Sequence, residues 1–141
     1  MATVLFVCLH NAGRSQMSAA LFERAAGGRH RAISAGSVAD PGGRVHPVVV
    51  DAMNDLGIDL SDRRPQRLTH ELATHADVVV TMGCGDACPF IPGTRYVDWD
   101  LPDPKGRPID EVRATREDIA RRVEALVREL DASPAPSTGR G

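Results

Sequence analysis

Cys8 closes an apolar run, and Arg14 and Ser15 follow it in the stretch "VLFVCLHNAGRSQM", residues 4–17. A thiol, a guanidinium and a hydroxyl at this spacing suit nucleophilic attack on a bound oxyanion. Arginine's planar fork grips two oxygens of a tetrahedral anion. The same positive charge, with a helix N-terminus behind it, favours the thiolate form of a neighbouring cysteine. Ser15 is spaced to hydrogen-bond the sulfur as it attacks or leaves. Leu9, His10, Asn11, Ala12 and Gly13 fill the interval, and Asn11 and Gly13 tolerate left-handed backbone, so their N–H groups can curl into an anion-binding nest. Neither G-x-x-x-x-G-K-[ST] nor G-x-G-x-x-G occurs after a strand, which excludes the common nucleotide-binding loops. The bland alternative is an inert buried cysteine ending a strand, with Arg14 and Ser15 a solvated helix start.

Two further cysteines, Cys84 and Cys88, flank Gly85-Asp86-Ala87. In a helical turn, four residues advance about 6 Å, within the Cα separation a disulfide allows. Zinc competes for the same pair, but a structural site takes four ligands and no second C-x2-C or H-x3-H half is present. Asp103, in "LPDPKGRP", is a candidate general acid that reads equally well as part of a turn. Asp98, Trp99 and Asp100 crowd the same segment. His70 and His75 read as surface or capping residues.

These groups need elements to hold them. "TVLFVC" (3–8) and "ADVVVTM" (76–82) read as buried strands, "HRAIS" (30–34) and "TRYVDW" (94–99) as weaker ones. Helical spacing predicts helices from Ser15 to about Ala26, from Pro47 to a stop at Gly57, over 68–75, and from Ile109 to Leu130. Alternating strands and helices imply a parallel sheet covered on both faces. The expectation is an α/β fold: one three-layer, flavodoxin-like domain with a four-stranded parallel sheet over residues 1–132. Residues 133–141, "SPAPSTGRG", lack the apolar content to pack and are expected to form a disordered tail.

The 141 residues carry a net charge of -2, and Lys105 is the single lysine, so no basic block suggests nucleic acid or a membrane surface. No apolar run reaches the roughly 18 residues of a transmembrane helix, and no charged region precedes "VLFV" as in a signal peptide. Three cysteines make no disulfide scaffold, which fits a reducing, cytoplasmic setting.

The opening loop resembles the C-x5-R-S signature of the low-molecular-weight protein tyrosine phosphatase fold. Gln16-Met17, where the phosphatases usually have proline after Arg-Ser, resembles the arsenate reductase branch. "SAG" (34–36), "GIDLS" (57–61), "ADVVVTM" with "CGDACP", and "DP" (103–104) follow in the family's order. The resemblance implies that residues 9–14 bind arsenate, with phosphate or sulfate competing, and that Cys8 attacks it. It further implies Asp103 as proton donor, and a relay in which Cys84 attacks Cys8 and Cys88 attacks Cys84. The resulting Cys84–Cys88 disulfide would be reduced by thioredoxin, with mycothiol or another small thiol as the alternative reductant. No cofactor or metal is implied: relatives that hold potassium use a glutamate and an aspartate where this chain has Ala19 and Gln66, although Asn11 and Ser34 remain. A monomer is expected. A phosphatase acting on a phosphoprotein or small phosphomonoester is the competing reading, because the same cradle accepts phosphate. Lys105-Gly106 stands where family phosphatases place the tyrosine that packs on their substrate.

Overall fold

The computed structural model describes residues 1–83 and 91–132. Strands β1 (Thr3–Cys8), β2 (Arg31–Gly36), β3 (Val78–Thr81) and β4 (Arg95–Asp98) form one parallel sheet in the order β2-β1-β3-β4. The helices are α1 (Arg14–Ala26), α2 (Pro47–Asn54), α3 (His70–Thr74) and α4 (Ile109–Ala132). The α/β architecture expected from the sequence is present, with boundaries shifted by one or two residues. The expected strand over 76–82 is shorter at its start because Asp77 does something else. Its N–H donates to Thr3 O and its carboxylate accepts the Thr3 N–H, fastening the start of β1. The expected tail and both cysteines of "CGDACP" lie outside the described residues.

The unbroken apolar run of β1 has a direct cause: both faces of this central strand are covered. Val4, Phe6 and Cys8 turn toward a core built with α1, α2 and α4, while Leu5 and Val7 turn toward a smaller cluster with Ala73 of α3 and Val79 of β3. Phe6 is fully buried, with ring centroids 5.7 Å from Phe22 and 5.8 Å from Trp99. Emptying such a position to alanine costs about 3–5 kcal/mol. Along α4, Val112, Ile119, Val123, Leu126 and Val127 form the buried stripe that the 3.6-residue spacing predicts. Pro47 opens α2 and Gly27, at φ 56°, closes α1.

Strand order reverses about β1. The segments leaving β1 and β3 therefore diverge, opening a crevice at the carboxyl edge of the sheet. The register brings the two exits together: Val7 pairs with Thr81, and the Met82 N–H donates to Val7 O at 2.7 Å. Cys8 is the next residue along β1, so it sits at that crevice.

Helices α2 and α4 are joined by Asp55, whose Oδ2 accepts from Arg113 Nε and from Arg116 Nη1, both at 2.8 Å. Arg116 also donates to Ala52 O at 2.7 Å. The Arg113 hydrogen bond, then that of Arg116, holds the Asp55 carboxyl below its ordinary value of 3.8. The unfolded chain thus takes up a proton here before the folded one does, and the contribution to stability is present above 3.8 and lost as pH falls through the depressed folded value. Asp55→Asn is expected to lower the urea midpoint at neutral pH. The difference from the parent should shrink progressively once the pH drops below 3.8, as followed by denaturant melts.

Candidate functional site

The site begins with a backbone irregularity. Asn11 has φ 54°, the only left-handed non-glycine among the described residues, and this turns the chain sharply after β1. Its N–H consequently points back at Cys8 Sγ, 3.3 Å away. Close approach from the neighbouring strand end is also required. A methyl group on Gly36 would lie 2.6 Å from Leu9 O and 2.8 Å from the Asn11 nitrogen, so only glycine fits there.

The proton positions follow from donors that cannot be anything else. The Gln66 backbone N–H donates to Asn11 Oδ1 at 2.9 Å, which fixes the carboxamide and leaves Nδ2 to donate to Ser15 Oγ at 2.7 Å. Ser15 Oγ, which accepts from Asn11, lies within hydrogen-bond distance of Cys8 Sγ at 2.9 Å. Cys8 Sγ thus meets the Asn11 N–H and the Ser15 hydroxyl.

Gln16 locks this network from below. Its Nε2 lies 3.2 Å from Asn11 O, 3.2 Å from Asn11 Oδ1 and 3.1 Å from Arg64 O. Asn11, Ser15 and Gln16 are all at or near complete burial, and all are satisfied. The same contacts answer the potassium question. The oxygens of Asn11 are filled by N–H donors, the Gln66 side chain donates to Ser34 O at 2.8 Å, and Ala19 offers no ligand. This donor set does not fit a cation.

Gly13 is the N-cap of α1 and supplies no capping side chain, so the first N–H groups of the helix keep their donors free. Arg14 is buried, donates from Nη1 to Leu101 O at 3.1 Å, and brings Nη2 to 3.9 Å from Asp103 Oδ2. Asp103 Oδ1 accepts the Lys105 N–H at 3.0 Å. The Asp103-Pro104 segment reaches the loop because Gly13 has no side chain: a methyl there would lie 2.7 Å from Pro104 Cγ. His46 N–H donates to Ala12 O at 2.8 Å, tying the start of α2 to the loop. Burial pushes the His46 imidazole below its ordinary value of 6.5; Asp103 opposes this, and Lys105 and His10 reinforce it.

The sequence candidates thus separate. Cys8, Asn11, Ala12, Gly13, Arg14, Ser15 and Asp103 converge on one place, with Leu9 and His10 in the same loop. Cys84 and Cys88 lie outside the described residues, but Gly83, to which Cys84 is joined, does not. Gly83 has φ 88°, and a methyl on it would lie 3.0 Å from Arg14 Nη1. Asp98 accepts from Thr81 Oγ1 at 2.6 Å and Trp99 packs in the core, so both are structural. His75 caps α3, with Nδ1 2.8 Å from Glu71 O. Sequence reasoning missed the Leu101 carbonyl, the locking role of Gln16, and His46. Only Gln16 left a signal, as the residue replacing proline after Arg-Ser.

Residues 3–135 match the family model described as low molecular weight phosphotyrosine protein phosphatase. A glutaredoxin arsenate reductase of Synechocystis sp. is 32% identical over 133 residues, 92% of this chain and 99% of that protein. A solved thioredoxin-dependent arsenate reductase of Corynebacterium glutamicum is 37% identical over 95% of this chain, with a TM-score of 0.79; the chain spans 63% of that protein's length. An arsenate reductase solved in a phosphate-binding state is 31% identical, with a TM-score of 0.80, over 92% of this chain and 99% of that one.

Because Asn11 acts on the sulfur through Ser15, the two should not add. Asn11→Gly, which keeps the left-handed turn, and Ser15→Ala are each expected to slow alkylation of Cys8 by iodoacetamide roughly tenfold at neutral pH. The double variant should be no slower than the worse single one. Peptide mass spectrometry resolves Cys8 from the other thiols, and fully multiplicative effects would refute the chain of donors.

Proposed function

The chain belongs to the low molecular weight phosphotyrosine protein phosphatase family, and within it we propose an arsenate reductase that works through an internal disulfide relay. The observation that carries this reading is Gly83 lying against Arg14. Cys84 is joined to Gly83, and Gly83 borders the Arg14 guanidinium of the anion loop. A phosphatase has no use for a second thiol there; an internal relay requires one. The relatives named as arsenate reductases support the same choice.

Arsenate enters the loop and is held by the N–H groups of residues 9–14 and by Arg14. Cys8 Sγ forms a bond to arsenic while one arsenic–oxygen bond breaks, and Asp103 gives its proton to the departing oxygen, which leaves as water. Cys84 then attacks Cys8 Sγ. A sulfur–sulfur bond forms, the electron pair of the sulfur–arsenic bond stays with arsenic, and arsenic(V) leaves as arsenite. Cys88 attacks Cys84, which restores the Cys8 thiolate and leaves a Cys84–Cys88 disulfide. Ser15 and the Asn11 N–H support Cys8 both when it attacks and when it is released. Thioredoxin is the proposed reductant of the final disulfide, with a low-molecular-weight thiol as the competitor. No metal or cofactor takes part. Residues 1–132 form the working domain, monomeric and cytoplasmic, with 133–141 as a tail. Among the described residues no helix is long and apolar enough to cross a membrane.

Fully reduced protein mixed with stoichiometric arsenate, without any reductant, is expected to release about one equivalent of arsenite and to carry a Cys84–Cys88 bond in disulfide mapping. Cys8→Ser should release none. Cys88→Ser should release one equivalent and then stop, even with thioredoxin present; a Cys88→Ser protein that cycles normally would sink the relay.

A further inference from the structure

When arsenate is the substrate, the departing group is water, and nothing attached to the anion extends beyond the loop. Yet a recess of about 310 Å3 opens beside it, lined by His10 and Ala12 of the loop together with Asp40, Arg44, His46 and Lys105. Arg44 and Lys105 are exposed, and among the described residues neither side chain has an ion-pair or hydrogen-bond partner. Arg95 and Arg113 are paired, with Glu129 and Asp55, whereas Arg31, Arg64 and Arg128 are exposed and, among the described residues, unpaired like Arg44; what sets Arg44 and Lys105 apart is that they line one recess beside the loop. The opposing charge in the recess is Asp40, whose Oδ1 already accepts the Gly42 N–H at 2.9 Å. Two basic side chains and two imidazoles thus line the recess with one carboxylate, and a second carboxylate, Asp103, stands at its edge beside Lys105 and acts on His46.

We propose that this recess is an anionic subsite, which receives a carboxylate on the organic part of a small phosphomonoester whose phosphoryl group occupies the loop. The proposal rests on the oxyanion reading of the loop and goes beyond arsenate. Cys8 Sγ forms a bond to phosphorus as the ester phosphorus–oxygen bond breaks, and Asp103 protonates the departing alcohol. Water then cleaves the sulfur–phosphorus bond, giving its proton to Asp103 and releasing phosphate. The alcohol departs past Asp103 and Lys105, so a carboxylate on it meets the two unpaired cations. A phenyl ester finds no comparable partner, because no phenyl or indole ring is among the residues lining the recess.

The test compares phosphate, methyl phosphate and phosphoglycolate as protectants of Cys8 against iodoacetamide in the full-length protein, read by peptide mass spectrometry. Phosphoglycolate should protect at a concentration roughly tenfold lower than methyl phosphate, the scale expected of two exposed charge pairs. In the Arg44→Ala/Lys105→Ala double variant that ratio should collapse to near one, and the kcat/KM for phosphoglycolate relative to phenyl phosphate should fall with it. Equal protection by the two esters in the parent protein, or a preference that survives both substitutions, would overturn the subsite while leaving arsenate reduction untouched. Failure of phosphate itself to protect Cys8 would remove the oxyanion reading, and the subsite with it.

Discussion

The site depends on one left-handed residue. Asn11 at φ 54° is in a conformation that costs a non-glycine residue about 1 kcal/mol or more, least for asparagine. What offsets the cost is that every polar atom of the residue is used at once. The N–H meets the Cys8 sulfur, Nδ2 meets Ser15, and Oδ1 meets the Gln66 N–H, while the Gln16 amide closes on Oδ1 and the carbonyl. Without the reversal, the N–H groups after β1 would run on along the strand direction and the sulfur would face an ordinary loop. With it, a buried network carries donor polarity from a backbone amide to the thiol without any titratable group in between.

The sheet supplies the rest by topology. Placing β1 between β2 and β3 makes the carboxyl edge diverge where Cys8 ends its strand, and α1, α2 and α4 pack on the face to which Cys8 belongs. Gly13 and Gly36 then allow two segments to approach the loop more closely than a side chain permits, and Gly83 takes a left-handed turn beside Arg14. The gathering of the loop is a matter of backbone proximity. The glycines act by what they leave out.

Strands, helices and the Cys8–Arg14–Ser15 group were legible in the sequence because each obeys a local rule: an apolar run, a 3.6-residue stripe, a thiol at a strand end. Asp103 was legible only through resemblance, since Asp-Pro is an ordinary turn until the fold brings it to Arg14. The contacts of Gln66, Leu101 and His46 were not legible, because each is a long-range meeting made by main-chain atoms or by a residue of unremarkable type. The Arg14 to Leu101 bond spans 87 positions and uses a carbonyl that any amino acid would have supplied. Asp77 ran the other way: it sits in a strand-like run, yet its carboxylate serves the neighbouring strand instead of extending the sheet.

Gly83 has a kinetic consequence. Gly83 follows Met82, whose N–H is held by Val7 O, so in the proposed relay the next thiol would meet Cys8 through a short covalent tether, for which the effective concentration is on the order of millimolar. In the proposed relay an external thiol would need comparable abundance merely to compete with Cys84 for the first attack. Labour in that relay would be divided between the protein's own thiol, favoured while arsenic is still bound, and the outside reductant, which acts after arsenite has gone.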